Sequence, residues 1–437
     1  MNIKQIASVL LCIWVFGDVG LYSQIGSISN LPTNYTQPQS GGGIHGDIRT
    51  GIGYASIHGD PHLALTFSPQ FQIGKLSAAF DIELYFKDQL RFRDDMYDSN
   101  PGWLRIIRHI YWGSPSETLH TGVGSLYNIN FGSGLLLSNF TNASNYDERE
   151  FGFLFDLNYS SSSVEVFIND IFDPEIYGGR FGLAPLANVQ APLINTWEIG
   201  VTAVQDTSPN PNGEGKIKHD DTITGIGFDT SLSPIRTNNF LWKIFAQHAF
   251  YEDYGSANSL GSSITLPGLT SFLDLELLYE ARFVEEKFIA GLFNPTYELH
   301  RRRDGIHNLL DGVQEEGANH FIQARMSILD ELHFIANYST PVESDAQGIF
   351  NFEANIPDFF EPFAFSASFT KTNMDNFGDV TDIDEHTRIQ ALADWQMTQL
   401  FYLSLLYRAH WRETSSTSKH YDKQETVSPQ LSFRYAF

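Results

Sequence analysis

The sequence predicts one all-β unit: a large antiparallel transmembrane β-barrel of about 18 to 20 strands, and about 16 at the fewest. Three observations lead there. Apolar and polar residues alternate with period two along most of the chain, its connections alternate between short and long, and it closes on an amphipathic stretch ending in Phe437. In that stretch, residues 427–437, Val427, Leu431, Phe433, Tyr435 and Phe437 share one parity, while Ser428, Gln430, Ser432 and Arg434 share the other. A strand sends alternate side chains to opposite faces, so one face is apolar and aromatic and the other polar. A terminal aromatic of this kind makes Phe437 the candidate assembly signal, read by barrel-insertion machinery.

The chain begins with Lys4, an apolar run over residues 6–16 and a small, polar tail. That is the pattern of a secretory signal peptide over residues 1–23, with cleavage after Gly17 or Ser23. Cys12 is the only cysteine and lies inside this segment, so the exported chain is expected to carry no disulfide and no thiol nucleophile. Residues 24–43, rich in Ser, Asn, Gly and Pro, read as an exposed leader, and residues 44–437 as the barrel.

Alternation starts at Ile44, Ile48, Ile52 and Tyr54, opposite His45, Asp47 and Arg49. Leu63, Leu65, Phe67 and Ile73 follow, opposite His62, Thr66, Ser68 and Gln70. The two residues Gly74 and Lys75 then suit a hairpin turn into Leu76, Phe80, Ile82 and Leu84. Clear strands are expected at 151–159, 164–171, 197–203, 240–250, 273–283, 320–328, 332–338, 350–356, 363–369, 389–395 and 401–411. Weaker alternation marks 104–112, 119–126, 178–186, 222–232 and 286–299. Outer-membrane barrels have short turns on the periplasmic side and long loops outside. Short links at 74–75, 113–117, 160–163, 329–331 and 397–399 fall on one side, and long polar links at 88–102, 205–221, 252–269, 372–386 and 412–426 on the other.

Charge narrows the partners. With 52 acidic and 27 basic residues the formal charge is -25, which excludes a phosphate-binding basic stripe and hence nucleic acid. Many charged residues fall on the parity opposite the apolar face and are expected to line the lumen. They are Asp81, Glu83, Lys243, Asp274 and Glu276, followed by Glu280, Arg282, Arg325, Arg388 and Arg408. The non-alternating run 131–140 (FGSGLLLSNF) reads either as a segment folding inward or as a continued strand. Leu135 and Leu136 within it, with Arg301, Arg302 and Arg303, are the constriction candidates. Asp379, Asp382 and Asp384 crowd one external loop and could offer oxygen ligands to a hard cation such as Ca²⁺, although the regular loop pattern with a central glycine is missing. Ser125, Ser133 and Ser138 follow His109 and His120, but no G-x-S-x-G turn occurs, so no catalytic residue is assigned. No cofactor is implied.

Several stretches resemble a family of uncharacterised outer-membrane barrel proteins of Gram-negative bacteria. They are WLRIIRHIYWG (103–113), TGVGSLYNINFGSGLLLSNFTN (121–142), DPEIYGGRFGLAPL (173–186), LELLYEARF (275–283) and NPTYELHRRR (294–303). The resemblance implies location and fold, and carries no activity. Ser133 stands between Gly132 and Gly134 where that family tends to have a longer polar residue. The functional expectation is a porin-like passive channel or substrate-uptake pore, in contact with outer-membrane lipid and small solutes. A plugged barrel whose loops bind a partner or another envelope component is the alternative, and an outer-membrane lipid hydrolase a third reading.

Overall fold

The computed structural model describes residues 44–436, apart from 58–59, 88–90, 93–101, 116, 144–148, 212–221, 271–272, 304, 314–315, 330–331, 341–347, 361 and 416–419. The expected signal peptide and leader, Phe437, and Asp94, Asp95 and Asp98 of the expected long link 88–102 lie outside the described residues.

Twenty strands close into one antiparallel barrel. They are β1 (Ile44–Ile57), β2 (Asp60–Ile73), β3 (Leu76–Phe80 and Ile82–Lys87, interrupted at Asp81), β4 (Arg91–Phe92 and Ile107–Trp112), β5 (Leu119–Gly124), β6 (Gly152–Tyr159) and β7 (Ser162–Ile168). Next come β8 (Ile176–Leu183), β9 (Glu198–Asp206), β10 (Ile223–Arg236), β11 (Leu241–Tyr251), β12 (Ser256–Thr270), β13 (Leu273–Val284) and β14 (Gly317–Ile328). The wall is completed by β15 (Leu332–Ser339), β16 (Gly348–Phe360), β17 (Phe363–Met374), β18 (Thr387–Gln396), β19 (Phe401–Ser415) and β20 (His420–Ala436). Each strand pairs with its neighbour in sequence, and β1 pairs with β20 from Asp47↔Ala436 to Ile57↔Thr426. Closure leaves no sheet edge, which is what allows a sheet to cross a bilayer.

The exterior is apolar. Leu63, Phe67 and Ile73 of β2 are exposed while His62 and Ala64 are buried, and the same alternation runs round the wall. Trp112, Tyr159, Trp197, Phe363, Trp395, Phe401 and Tyr435 stand exposed near the strand ends at the short-turn side. Aromatic residues at that level form a girdle at the membrane interface. Among the described residues no helix is long and apolar enough to cross a membrane; here the strands cross.

The links after β2, β4, β6, β14 and β18 are short and share one end, as the sequence predicts. Three stretches differ from expectation. Residues 252–269, expected as a loop, are mostly β12, whose Ser and Gly content hides the alternation. Gly261 is needed there because a Cβ would stand 2.2 Å from the Phe245 ring. The expected loop 412–426 is a hairpin, because β19 and β20 run on as polar strands past the apolar band. The expected strand 286–299 is instead a loop entering helix α1 (Tyr297–Arg303), followed by α2 (Ile306–Gly312). Phe288, Leu292 and Phe293, on both parities, are all buried, so the stretch packs on every side and shows no strand face.

Candidate functional site

Two long connections at the outer end fold into the barrel: residues 125–151 and residues 285–316. Leu126, Ile129, Phe131, Leu135, Leu136, Leu137 and Phe140 of the first pack with Phe288, Leu292, Phe293, Tyr297, Ile306 and Leu310 of the second. Both sit against Leu154, Phe167, Ile176, Val204, Ile223, Ala249, Tyr251, Ala257 and Val284, which lie near the outer ends of β6 to β13. The run 131–140 is therefore an inward fold, and Leu135 and Leu136 lie in an apolar plug core.

The local sequence explains the fold. Asn128, Gly132, Gly134 and Asn139 all have positive φ, a region that Gly and Asn tolerate and bulky side chains do not. Asn142 is a central tie, accepting from the Leu126 amide at 2.6 Å and donating to the Asn169 carbonyl at 2.6 Å. At the tip, the Ser133 amide donates to Gln247 Oε1 at 3.1 Å, which brings the first fold down onto β11. The two folds are pinned to each other by a parallel bridge between Leu137 and Phe293.

Arg301 and Arg302 serve the same attachment. Arg301, 1% exposed, pairs with Glu175 at 2.7 Å, Glu298 at 3.0 Å and Asp206 at 3.5 Å. Arg302 pairs with Glu150 of the first fold at 3.0 Å. Both guanidiniums face carboxylates. The Arg303 side chain lies outside the described residues. Burial, then the neighbouring Glu298 carboxylate, pushes Glu150 well above the ordinary carboxylate range, and burial also raises Glu298 against the pull of Arg301 and Arg302. Sequence reading missed Glu150, Glu175, Asp206 and Glu298, because acids on separate loops, a strand end and a helix show no spacing that links them.

All ten lumen candidates fall on the parity of the inward, buried positions of their strands. Some are tied off. Asp81 meets Arg149 of the first fold at 3.3 Å, Glu280 pairs with Arg282 at 2.8 Å, and Lys243 reaches Glu198 at 3.6 Å. Glu83 on β3 meets Arg408 on β19 at 3.3 Å, and Arg49 on β1 meets Asp394 on β18 at 2.9 Å. Those last two pairs join strands that are not neighbours, so their side chains cross part of the lumen. Asp274 lies at the turn end of β13, bonded to the Gly268 amide. Arg325 faces Glu276 at 3.5 Å. Arg388 lies inward on β18 near Glu353 of β16.

The three aspartates of the external loop do not converge. Asp379 caps a short helical turn through Asn376, Asp384 pairs with Lys371 at 2.5 Å, and Asp382 is exposed. Among the described residues no group of three or more acids, histidines or cysteines is placed to hold a metal ion. Ser77 lies 3.2 Å from His109, and His120 lies 2.9 Å from Asp156. The two contacts fall on different histidines and do not chain into a Ser–His–Asp relay.

The fold defines a closed transmembrane β-barrel with an apolar exterior and two loops folded into its outer end. No protein-family model and no curated protein matches the sequence. Among solved structures, the chain is similar to a mutant of the ferric enterobactin receptor PfeA of Pseudomonas aeruginosa at 10% identity, covering 91% of this chain and 81% of that one, with a TM-score of 0.38. It is also similar to the outer-membrane protein OpdK of the same organism (9% identity, 90% and 99% covered, TM-score 0.32) and to its OccD3, or OpdP (10%, 96% and 99%, 0.32).

Proposed function

We propose that this chain is an outer-membrane uptake pore for small solutes, narrowed at its outer end by two inward-folded loops. One observation carries the reading: the inner wall is divided. From β6 to β13 its outer part is apolar and covered by the plug, whereas from β14 round to β3 charged and polar side chains face the lumen. A wall built only to hold a plug has no need of the second surface, since burying unmatched polar groups is costly. The apolar barrel exterior supports contact with outer-membrane lipid. The reading includes no catalytic step.

Reconstitution into liposomes tests it. Swelling in a small sugar such as arabinose is expected to exceed that of protein-free liposomes, and to fall off steeply with larger sugars. Absence of swelling for every solute, with the barrel correctly inserted, would favour the plugged alternative. That alternative has its own support in the pairs Arg49–Asp394 and Glu83–Arg408, which reach across the lumen.

A further inference from the structure

Among the described residues, most of the opposite charges facing the lumen are already matched. Arg49, Arg180 and Arg408 each hold a carboxylate. An exception lies on the uncovered wall. Among the described residues neither Arg388 nor Glu353 makes a side-chain hydrogen bond or an ion pair, although each lies within electrostatic reach of the other. Their strands explain why they do not close on each other. Glu353 on β16 is level with Ser368 on β17 and Gln390 on β18, and Arg388 lies one inward step further along β18. Two strand spacings, about 9 to 10 Å, thus separate the backbones before the diagonal is added.

More polar atoms on the same face also lack partners. Glu353 Oε2 and Asn351 Oδ1 are buried acceptors without a hydrogen bond, on successive inward positions of β16. Arg325 Nε is an unmatched donor, and Arg325 is level with Glu353 across Ile335. Buried polar groups are ordinarily satisfied, so a cluster of unmatched ones leaves hydrogen-bonding capacity open to water or a polar solute from outside the chain. Here the acceptors gather on β16 and the free guanidinium stands beside them on β18. Tyr127 of the first inward fold lies near Arg388, which puts the cluster beside the plug, where a solute passing the plug must go.

We propose that this cluster binds a zwitterionic small solute, one carrying both a carboxylate and an ammonium group, as an α-amino acid does. The carboxylate takes the paired donors of the Arg388 guanidinium, a fork shaped for it. The ammonium group gives its hydrogens to Glu353 and Asn351. A solute with only one charge satisfies one side and leaves the other charge buried and unmatched, so the site discriminates against it. This proposal rests on the uptake reading and names the class of solute taken up.

The test is equilibrium dialysis of the purified full-length barrel in detergent with radiolabelled L-glutamine, acetate or methylammonium, alongside liposome swelling. L-Glutamine is expected to bind roughly tenfold or more tighter than either singly charged probe, the worth of one charge-assisted hydrogen bond. Arg388→Gln and Glu353→Gln should each remove that advantage while swelling in arabinose persists, which also reports that the variants assembled. Equal binding of the three probes to the wild-type barrel, or an unchanged glutamine advantage in both variants, overturns the site. Glutamine binding without any solute flux upholds the site and refutes the uptake reading. Arabinose flux without a glutamine advantage does the reverse.

Discussion

Arg301 holds the second inward fold to the wall. It touches Glu298 on its own helix, Asp206 at the end of β9 and Glu175 immediately before β8. Removing a buried charge strands its partners, so Arg301→Ala is expected to destabilise docking of residues 285–316 by about 3–5 kcal/mol. Faster hydrogen exchange in that segment, with the strands unaffected, is the readout. Glu150 and Glu298 add a pH dependence. Both are raised by burial, and around them stand Arg301, Arg302, Glu175 and Asp206. A carboxyl raised in the folded state binds its proton more tightly there than when undocked. The contribution of these carboxyls to docking is therefore full at and below the ordinary carboxylate pKa and is lost as pH climbs through the raised value. Exchange of the inward folds, corrected for intrinsic rate, should be faster at about pH 8 than at about pH 5, and Glu150→Gln should flatten the difference. A profile already flat in the wild type would show that neither carboxyl changes its proton on docking.

The inward fold of residues 125–151 acts as an element because the wall is shaped for it. Leu136 lies over Gly225 and Gly227 of β10, where Cβ atoms would come within 3.1 and 3.0 Å of its methyl groups. Those glycines leave a seat. Leu136→Ala should cost about 2–5 kcal/mol of docking and raise single-channel conductance in planar bilayers; unchanged conductance would mean that this fold does not narrow the path. Strands were legible in the sequence where each face keeps its own polarity, as in β2, β13 and β18. β12 was not, since Ser259, Gly261 and Ser263 present little contrast with its outward Asn258 and Ser262. The plug was half legible: loss of alternation marked 131–140 as unusual, but nothing in one sequence says that Phe293 and Tyr297 will meet it. For the same reason Arg388 and Glu353 could be assigned to the lumen by parity, while their lack of partners depends on where neighbouring strands place other side chains.

For the whole molecule the question is how an excess of 52 acidic over 27 basic residues is distributed. Glu252, Asp253, Glu285, Glu286, Asp311 and Glu316 are exposed in the outer loops, with Lys287 paired to Asp311, and Asp379 and Asp382 add to them on the 375–386 connection. Two cations of the second inward fold, Arg301 and Arg302, are matched to Glu298, Asp206, Glu175 and Glu150 and so do not offset this charge. Among the described residues the outer loops are therefore predominantly acidic, whereas the inward positions below them mix Arg49, Arg325, Arg388 and Arg408 with Glu83, Glu276, Glu353 and Asp394. Carboxylates around a pore entrance concentrate cations over roughly a Debye length, about 8 Å at physiological salt. Small cations and net-neutral solutes should thus pass more readily than anions, and the preference should fade as salt rises. A zwitterion meets no net repulsion at such a mouth, so the entrance and the Arg388–Glu353 cluster favour the same class of solute. Reversal potentials under a salt gradient measure the first property directly: cation selectivity that declines between about 0.05 and 1 M salt is expected, and anion selectivity at low salt would show that the lumen arginines outweigh the acidic mouth.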